Sequence, residues 1–184
     1  SSNENPHGPI PEVARILAEF DATHRYPDPL STKLRTALAH RLGVDAHNIV
    51  TGAGSLGALN QILKAFAGAS LDGTQDEVIY AWRSFEAYPI LVGLLGAKSV
   101  QIPNLPNGAH DLNAMAQAVT DRTRVILVCT PNNPTGPAVT EAQMREFLTK
   151  IPENVVVVID EAYYEFCTAS TVPAGQNAPV NGLN

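Results

Sequence analysis

The sequence lacks a cluster of lysine and arginine, a long apolar run and more than two cysteines, and each absence removes a class of protein. Lys and Arg number 12 against 18 Asp and Glu, a formal net charge of -6 over 184 residues. Without a basic face, no nucleic-acid partner is expected. The longest apolar stretches, such as Val155 to Ile159, are far shorter than the roughly 20 residues that cross a bilayer, so no membrane partner is expected either. The opening SSNENPHG has neither the basic nor the apolar region of a secretory signal and begins without Met, which reads as a trimmed N-terminus. Cys129 and Cys167 form no C-x-x-C pair and have no histidine at ligand spacing. Neither a disulfide framework nor a metal site is expected, and a reducing cytoplasm fits best. What remains is ordinary for one globular domain with a sizeable core: 45% hydrophobic and 16% charged residues.

Periodicity then organises the chain. Pro11 to Phe20 carries Val13, Ile16, Leu17 and Phe20 at helical spacing behind a proline suited to a helix start. His24 to Leu30 is a proline-interrupted loop. Ser31 is placed to cap a second helix whose stripe is Leu34, Leu38 and Leu42 and which Gly43 ends. Strands are expected at Asn48 to Thr51, Glu77 to Ala81, Ser99 to Pro103, Arg124 to Thr130 and Asn154 to Asp160. Helical patterns lie between them at Leu56 to Phe66, Tyr88 to Leu95, Leu112 to Val119 and Glu141 to Leu148. This alternation predicts an α/β fold, a mostly parallel sheet covered by helices on both faces. The continuous apolar strands RVILVC and VVVVID read as central. Three regions follow: residues 1–30 as an N-terminal segment with a short helix and a loop, 31–167 as the main domain, and 168–184 as loop or disorder, with no charge and no periodicity.

In such a sheet ligands gather at the carboxyl ends of the strands, so GAGS, WRSFEAY, TPNNPTG and DEAYYEF are the segments to inspect. Gly52, Gly54 and Gly57 have the G-x-G-x-x-G spacing of a dinucleotide site. The acidic residues near the required distance, Asp76 and Glu77, stand at the start of the next strand, the wrong edge for a ribose contact. A more general reading survives. The backbone N–H groups of Gly54, Ser55 and Leu56, with the Ser55 hydroxyl, open a helix and can hold any phosphate. A glycine-rich turn without a ligand is the bland alternative. TPNNPTGP reads on composition as a turn, with the amides of Asn132 and Asn133 at the sheet's edge. Asp160 closes an apolar run, and a carboxylate there requires a partner. A helix cap or an arginine satisfies that as well as a ligand does.

The order of SSNENPHGP, HRYPDPLSTKLR, TGAGS, WRSFEAYP, VCTPNNPTG and VVVVIDEAYYEF resembles the fold type I pyridoxal-phosphate aminotransferases, in particular the histidinol-phosphate and aromatic (phenylalanine) group, up to Phe166. The resemblance implies a large cofactor-binding domain with pyridoxal 5'-phosphate, small amino-acid and 2-oxo-acid substrates, and a homodimer. It assigns Asp160 to the pyridine nitrogen, Asn133 and Tyr163 to the ring's phenolic oxygen, and Tyr88 to stacking on the ring, with core packing as the plain alternative for Tyr88. Gly54, Ser55 and Leu56 would hold the phosphate, joined by Tyr26 from a neighbouring subunit. Asn5 and His7 would line the substrate pocket, where His7 departs from the family's usual aromatic residue and is equally an exposed loop histidine. Phe85 and Trp82 would supply apolar wall or core.

One requirement of that chemistry is missing. The family's Schiff-base lysine follows the aspartate, whereas Lys33, Lys64, Lys98 and Lys150 all precede Asp160. The expectation is therefore a chain carrying only part of the enzyme, inactive by itself, from a parent that transaminates aromatic amino acids. Histidinol phosphate as substrate, a catalytically silent cofactor-binding domain, and a nicotinamide enzyme are the alternatives.

Overall fold

The computed structural model describes residues 3–167, so the expected loop at 168–184 lies outside the described residues. Four parallel strands, β1 (Glu77–Trp82), β2 (Lys98–Pro103), β3 (Thr123–Cys129) and β4 (Val156–Asp160), form one sheet in the order β2-β1-β3-β4. Six helices accompany them: α1 (Pro11–Glu19), α2 (Thr32–Leu42), α3 (Gly54–Phe66), α4 (Ala87–Leu94), α5 (Leu112–Gln117) and α6 (Glu141–Leu148). The doubly covered parallel sheet is the architecture expected from the alternation of periods.

Side chains alternate across the sheet, and each face finds its own helices. Val78, Tyr80, Val125, Leu127 and Cys129 pack under α3 and α4 with Leu59, Leu63, Tyr88 and Val92. Ile79, Ala81, Ile126 and Val128 pack on the other face against Met115 of α5 and Met144 and Phe147 of α6. Burial on both faces is why β1 and β3 are apolar without alternation.

Three local expectations change. Asn48 to Thr51 is not a strand: residues Ala46–Asn48 make a 3-10 turn that the Asp45 side chain caps by accepting from His47 N at 2.8 Å. The residues beyond pair with no strand among the described residues, and Val50 is 70% exposed. β-propensity yields a strand only where a neighbour exists to receive it. Ser31 makes no side-chain cap; it adopts φ 48°, and Asp28 serves the helix start instead, accepting from Leu30 N at 3.0 Å and Thr32 N at 2.8 Å. VVVVID is not central among the described residues. β4 pairs only with β3, and all five of its residues are half-buried.

Gly43 ends α2 at φ 68°, as expected of a left-handed cap. On α1 the apolar stripe is real but uncovered: Ile16, Leu17 and Phe20 are each more than half exposed, as is Leu34 on α2.

Candidate active site

The carboxyl edge of the sheet is assembled by register. Cys129 and Asp160 are aligned as the last residues of β3 and β4, and Thr130 N donates to Asp160 O at 2.9 Å to carry the ladder one step further. The loop after β3 therefore starts beside Asp160. The helix α3 precedes β1 and must return the chain to the sheet's amino edge, so its own first turn lies at the carboxyl edge with these loops.

Asp160 is half-buried, and its carboxylate has two neutral donors. Tyr88 Oη donates to Oδ2 at 2.8 Å, and Ala162 N donates to Oδ1 at 3.2 Å. Among the described residues no ion pair involves Asp160, so neither the expected arginine bridge nor any other cation holds it. Tyr88 has no exposed surface. Its ring meets Tyr80 at 5.6 Å and Phe85 at 5.7 Å, both edge-on, which fixes the hydroxyl in place. Burial, with the nearby Cys129 and Asp160, pushes the phenol far above its ordinary pKa, so it remains a proton donor. Burial also raises the Cys129 thiol. The stacking role assigned to Tyr88 is corrected: a ring with no open face receives nothing. Phe85, half-buried one turn earlier, is the aromatic with surface to offer.

The two asparagines of PNNPTG separate sharply. Asn132 is buried: its Oδ1 accepts from Ser84 Oγ at 2.7 Å, and its Nδ2 donates to Arg83 O at 2.9 Å and to Thr135 Oγ1 at 2.7 Å. Thr135 Oγ1 donates on to Gly108 O at 2.7 Å, and Asn104 Nδ2 reaches the same Arg83 carbonyl at 2.7 Å. One buried amide thus ties together the loops after β1, β2 and β3. Asn133 is half-buried, and its side chain has no hydrogen-bond partner among the described residues. It is free to meet a ligand. Behind this loop the buried His110, held neutral by a pKa lowered by burial, donates from Nε2 to Cys129 O at 2.7 Å and steadies the end of β3.

The three glycines of the α3 entry have three causes. Gly54 has φ +67°, where a side chain is strained. A Cβ on Gly52 would lie 2.6 Å from Ala58 N, and one on Gly57 would lie 3.3 Å from Gly52 C, so these two allow the loop to fold onto the helix. No side chain caps α3, and Gly57 N, bonded to Ala53 O at 3.2 Å, is where its ladder begins. The N–H groups of Gly54, Ser55 and Leu56 precede that ladder and are exposed. Turn geometry, with no acidic group at the end of β1, accounts for the G-x-G-x-x-G spacing without a dinucleotide.

Other expected residues are not gathered here. Tyr26 is fully exposed on the loop between α1 and α2. Asn5 accepts from His7 N at 3.0 Å in a local turn, and both residues are exposed. Their neighbour Asn3, which sequence reasoning passed over, is the one that reaches the site, donating from Nδ2 to Tyr163 Oη at 2.9 Å. Only its place in the same NENP segment hinted at this. A cleft of about 200 Å³ lined by His110, Gln143, Glu146 and Lys150 lies on the α5/α6 side of the sheet, and none of the candidate residues lines it.

The comparisons bear on the family and the fold. The family described as Aminotransferase class I and II matches residues 1–181. An aromatic amino acid aminotransferase of Streptomyces coelicolor is 50% identical over 176 residues, and one of Thermobifida fusca is 51% identical, each match covering 95% of this chain. The chain spans about half the length of these curated relatives, 48% and 47%. A histidinol-phosphate aminotransferase from Sinorhizobium meliloti, solved in complex with pyridoxal-5'-phosphate, superimposes with TM-score 0.80 at 27% identity over 90% of this chain and 44% of its own. With the family matched along nearly its whole length, and with a doubly covered sheet whose carboxyl edge carries the asparagine loop and the strand-ending aspartate, the chain belongs to the class I and II aminotransferases.

Proposed function

We propose that this chain forms the cofactor-binding part of a pyridoxal-phosphate-dependent enzyme that transfers an amino group from an aromatic amino acid to a 2-oxo acid. The observation that carries the reading is the half-buried Asp160 carboxylate, ringed by neutral donors and lacking any cation among the described residues. Such a carboxylate is completed by a cationic N–H, and a protonated pyridine supplies one. The donor set fits the rest of the group as well: the free first-turn N–H groups and the Ser55 hydroxyl suit a phosphate, the unpartnered Asn133 amide suits a phenolic oxygen, and the half-buried Phe85 offers a ring face.

When bound, pyridoxal phosphate supplies an electron-accepting ring that stabilises charge released at a substrate's alpha carbon. The parts proposed for Asp160, Asn133 and Tyr163 are those the resemblance implies. Asp160 would keep the ring nitrogen protonated, and Asn133 with Tyr163 would orient the phenolic oxygen. Gly54, Ser55 and Leu56 anchor the phosphate, each hydrogen bond to its charge contributing about 1.5–3 kcal/mol. Phe85 covers the ring. The Asn3 bond to Tyr163 ties the N-terminal segment to the end of β4, which supports Asn5 and His7 as substrate contacts. The activity named for the relatives at about half identity supports aromatic substrates over histidinol phosphate, the substrate named for the more distant solved structure. A second copy of the chain is part of the proposal: the uncovered stripe of Ile16, Leu17, Phe20 and Leu34 offers it apolar surface, and Tyr26, fully exposed, is the residue that the resemblance assigns to a neighbour's phosphate.

Titration with pyridoxamine 5'-phosphate tests the reading. Saturable binding is expected, weakened at least about tenfold in Asp160→Asn, since a charge-assisted pair is lost. With pyridoxal phosphate, borohydride reduction is expected to label no lysine of this chain. Binding of NAD with no affinity for either pyridoxal compound would sink it.

A further inference from the structure

We propose that Tyr88 is a positioning residue for Asp160, whose role is to keep the proton of an aspartate–pyridine pair on the ring nitrogen. The inference rests on the pyridoxal-phosphate reading and gives Tyr88 a task distinct from ring stacking. Its Oη donates to Asp160 Oδ2 at 2.8 Å from a side chain with no exposed surface. Edge contacts with Tyr80 and Phe85 leave the phenol no other orientation.

A hydrogen bond donated to a carboxylate favours its ionised form. Where a carboxylate and a pyridine nitrogen compete for one proton, a donor on the carboxylate therefore moves the proton toward nitrogen. Tyr88 suits the task because it cannot itself give up the proton: burial holds its phenol ionisation far above working pH. The alternative donor at this position, a lysine or arginine, would neutralise Asp160 and remove its attraction for a pyridinium. A neutral donor orients the carboxylate while leaving its charge for the ring. The backbone bond from Ala162 N to Oδ1 does the same from the other side, and a carboxylate with two donors keeps lone pairs for a further one.

The test uses pyridoxamine 5'-phosphate labelled with nitrogen-15 in its ring, bound to the chain, to the Tyr88→Phe and Asp160→Asn variants, and to the chain with 3-fluorotyrosine at position 88. The ring-nitrogen chemical shift separates pyridinium from neutral pyridine. In the unsubstituted chain the pyridinium value is expected, and in Asp160→Asn the neutral one. Tyr88→Phe keeps the packed ring and the phosphate contacts, so affinity is expected to fall less than about tenfold, while the resonance moves measurably toward the neutral value. The fluorinated tyrosine, a stronger donor of nearly the same shape, is expected to retain the pyridinium value. If Asp160→Asn shifts the resonance but Tyr88→Phe does not, or if the fluorinated tyrosine shifts it as Phe does, the role of Tyr88 is overturned and the cofactor reading stands. If the unsubstituted chain binds no pyridoxamine phosphate, or Asp160→Asn leaves the resonance unmoved, the cofactor reading fails and this role fails with it.

Discussion

Substitution of Glu77 puts the ion cluster at the amino edge of the sheet to the test. Glu77 opens β1 and is 3% exposed, yet it is charged. Its Oε1 accepts from Lys98 Nζ at 2.9 Å and lies 3.7 Å from Arg122 Nη2, and its Oε2 accepts from Thr120 Oγ1 at 2.6 Å. One carboxylate thus joins the starts of β1 and β2 and the turn before β3. Removing one partner of a fully buried pair costs about 3–5 kcal/mol. Here the side chains of Lys98 and Arg122 are 52% and 50% exposed, so water takes over part of their solvation and the cost is discounted. Glu77→Ala is expected to lose about 2–3 kcal/mol, and Glu77→Gln, which retains the shape and the Thr120 contact, about 1 kcal/mol. The Lys98 and Thr120 bonds, in that order, hold the Glu77 carboxyl below its ordinary pKa. A carboxyl depressed on folding contributes stability that is complete above its unfolded value and lost as pH falls through the folded value. The stability gap between the unsubstituted chain and Glu77→Gln should therefore be full near neutrality and close on acidification below the usual carboxylate range. Urea unfolding followed by circular dichroism at a series of pH values measures it. A gap absent at pH 7, or one that persists unchanged under strong acid, would refute the cluster's electrostatic role.

Two other substitutions examine the core and the cradle. Leu63→Ala, at a site with no exposed surface between α3 and the sheet, should destabilise by roughly 3 kcal/mol in the same urea assay, with little change in the slope. Gly52→Ala places a methyl 2.6 Å from Ala58 N and should push the entry loop off α3. Its expected signature is at least about a tenfold loss of pyridoxamine phosphate affinity at a stability cost near 1–3 kcal/mol; unchanged affinity would separate that glycine from the phosphate cradle.

The framework was legible because period alone carries it. Glu77–Trp82 and Thr123–Cys129 are apolar without alternation since both faces of β1 and β3 are covered, and the intervening stripes were those of α3 to α6. Asn48 to Thr51 misled for the complementary reason: its composition suits a strand, but no neighbour among the described residues pairs with it. VVVVID read as central from apolarity, while its position in the strand order, invisible to local pattern, leaves it paired on one side only among the described residues. At the candidate site, the motifs mark segments that the structure brings to the carboxyl edge, but motif spacing says nothing about which way a side chain faces. Tyr88, expected to stack or to pack in the core, is fully buried, while Phe85, three residues earlier and expected as wall or core, is half-buried. Asn132 and Asn133, adjacent in the chain, proved to be a buried clamp and an unpartnered amide.

By itself the sequence determined the class of fold, the segments that end at the carboxyl edge, and the glycine turn that opens α3 at Gly54, Ser55 and Leu56, because periodicity, strand polarity and glycine geometry are local properties. Only the tertiary structure decided that Asp160 is held by a neutral phenol rather than an arginine, that Asn3 rather than Asn5 or His7 touches Tyr163, and that Gly52 and Gly57 serve each other. Those contacts join residues distant in the chain, 72 apart for Tyr88 and Asp160 and 160 apart for Asn3 and Tyr163. They follow from strand order and helix packing, which no local pattern encodes.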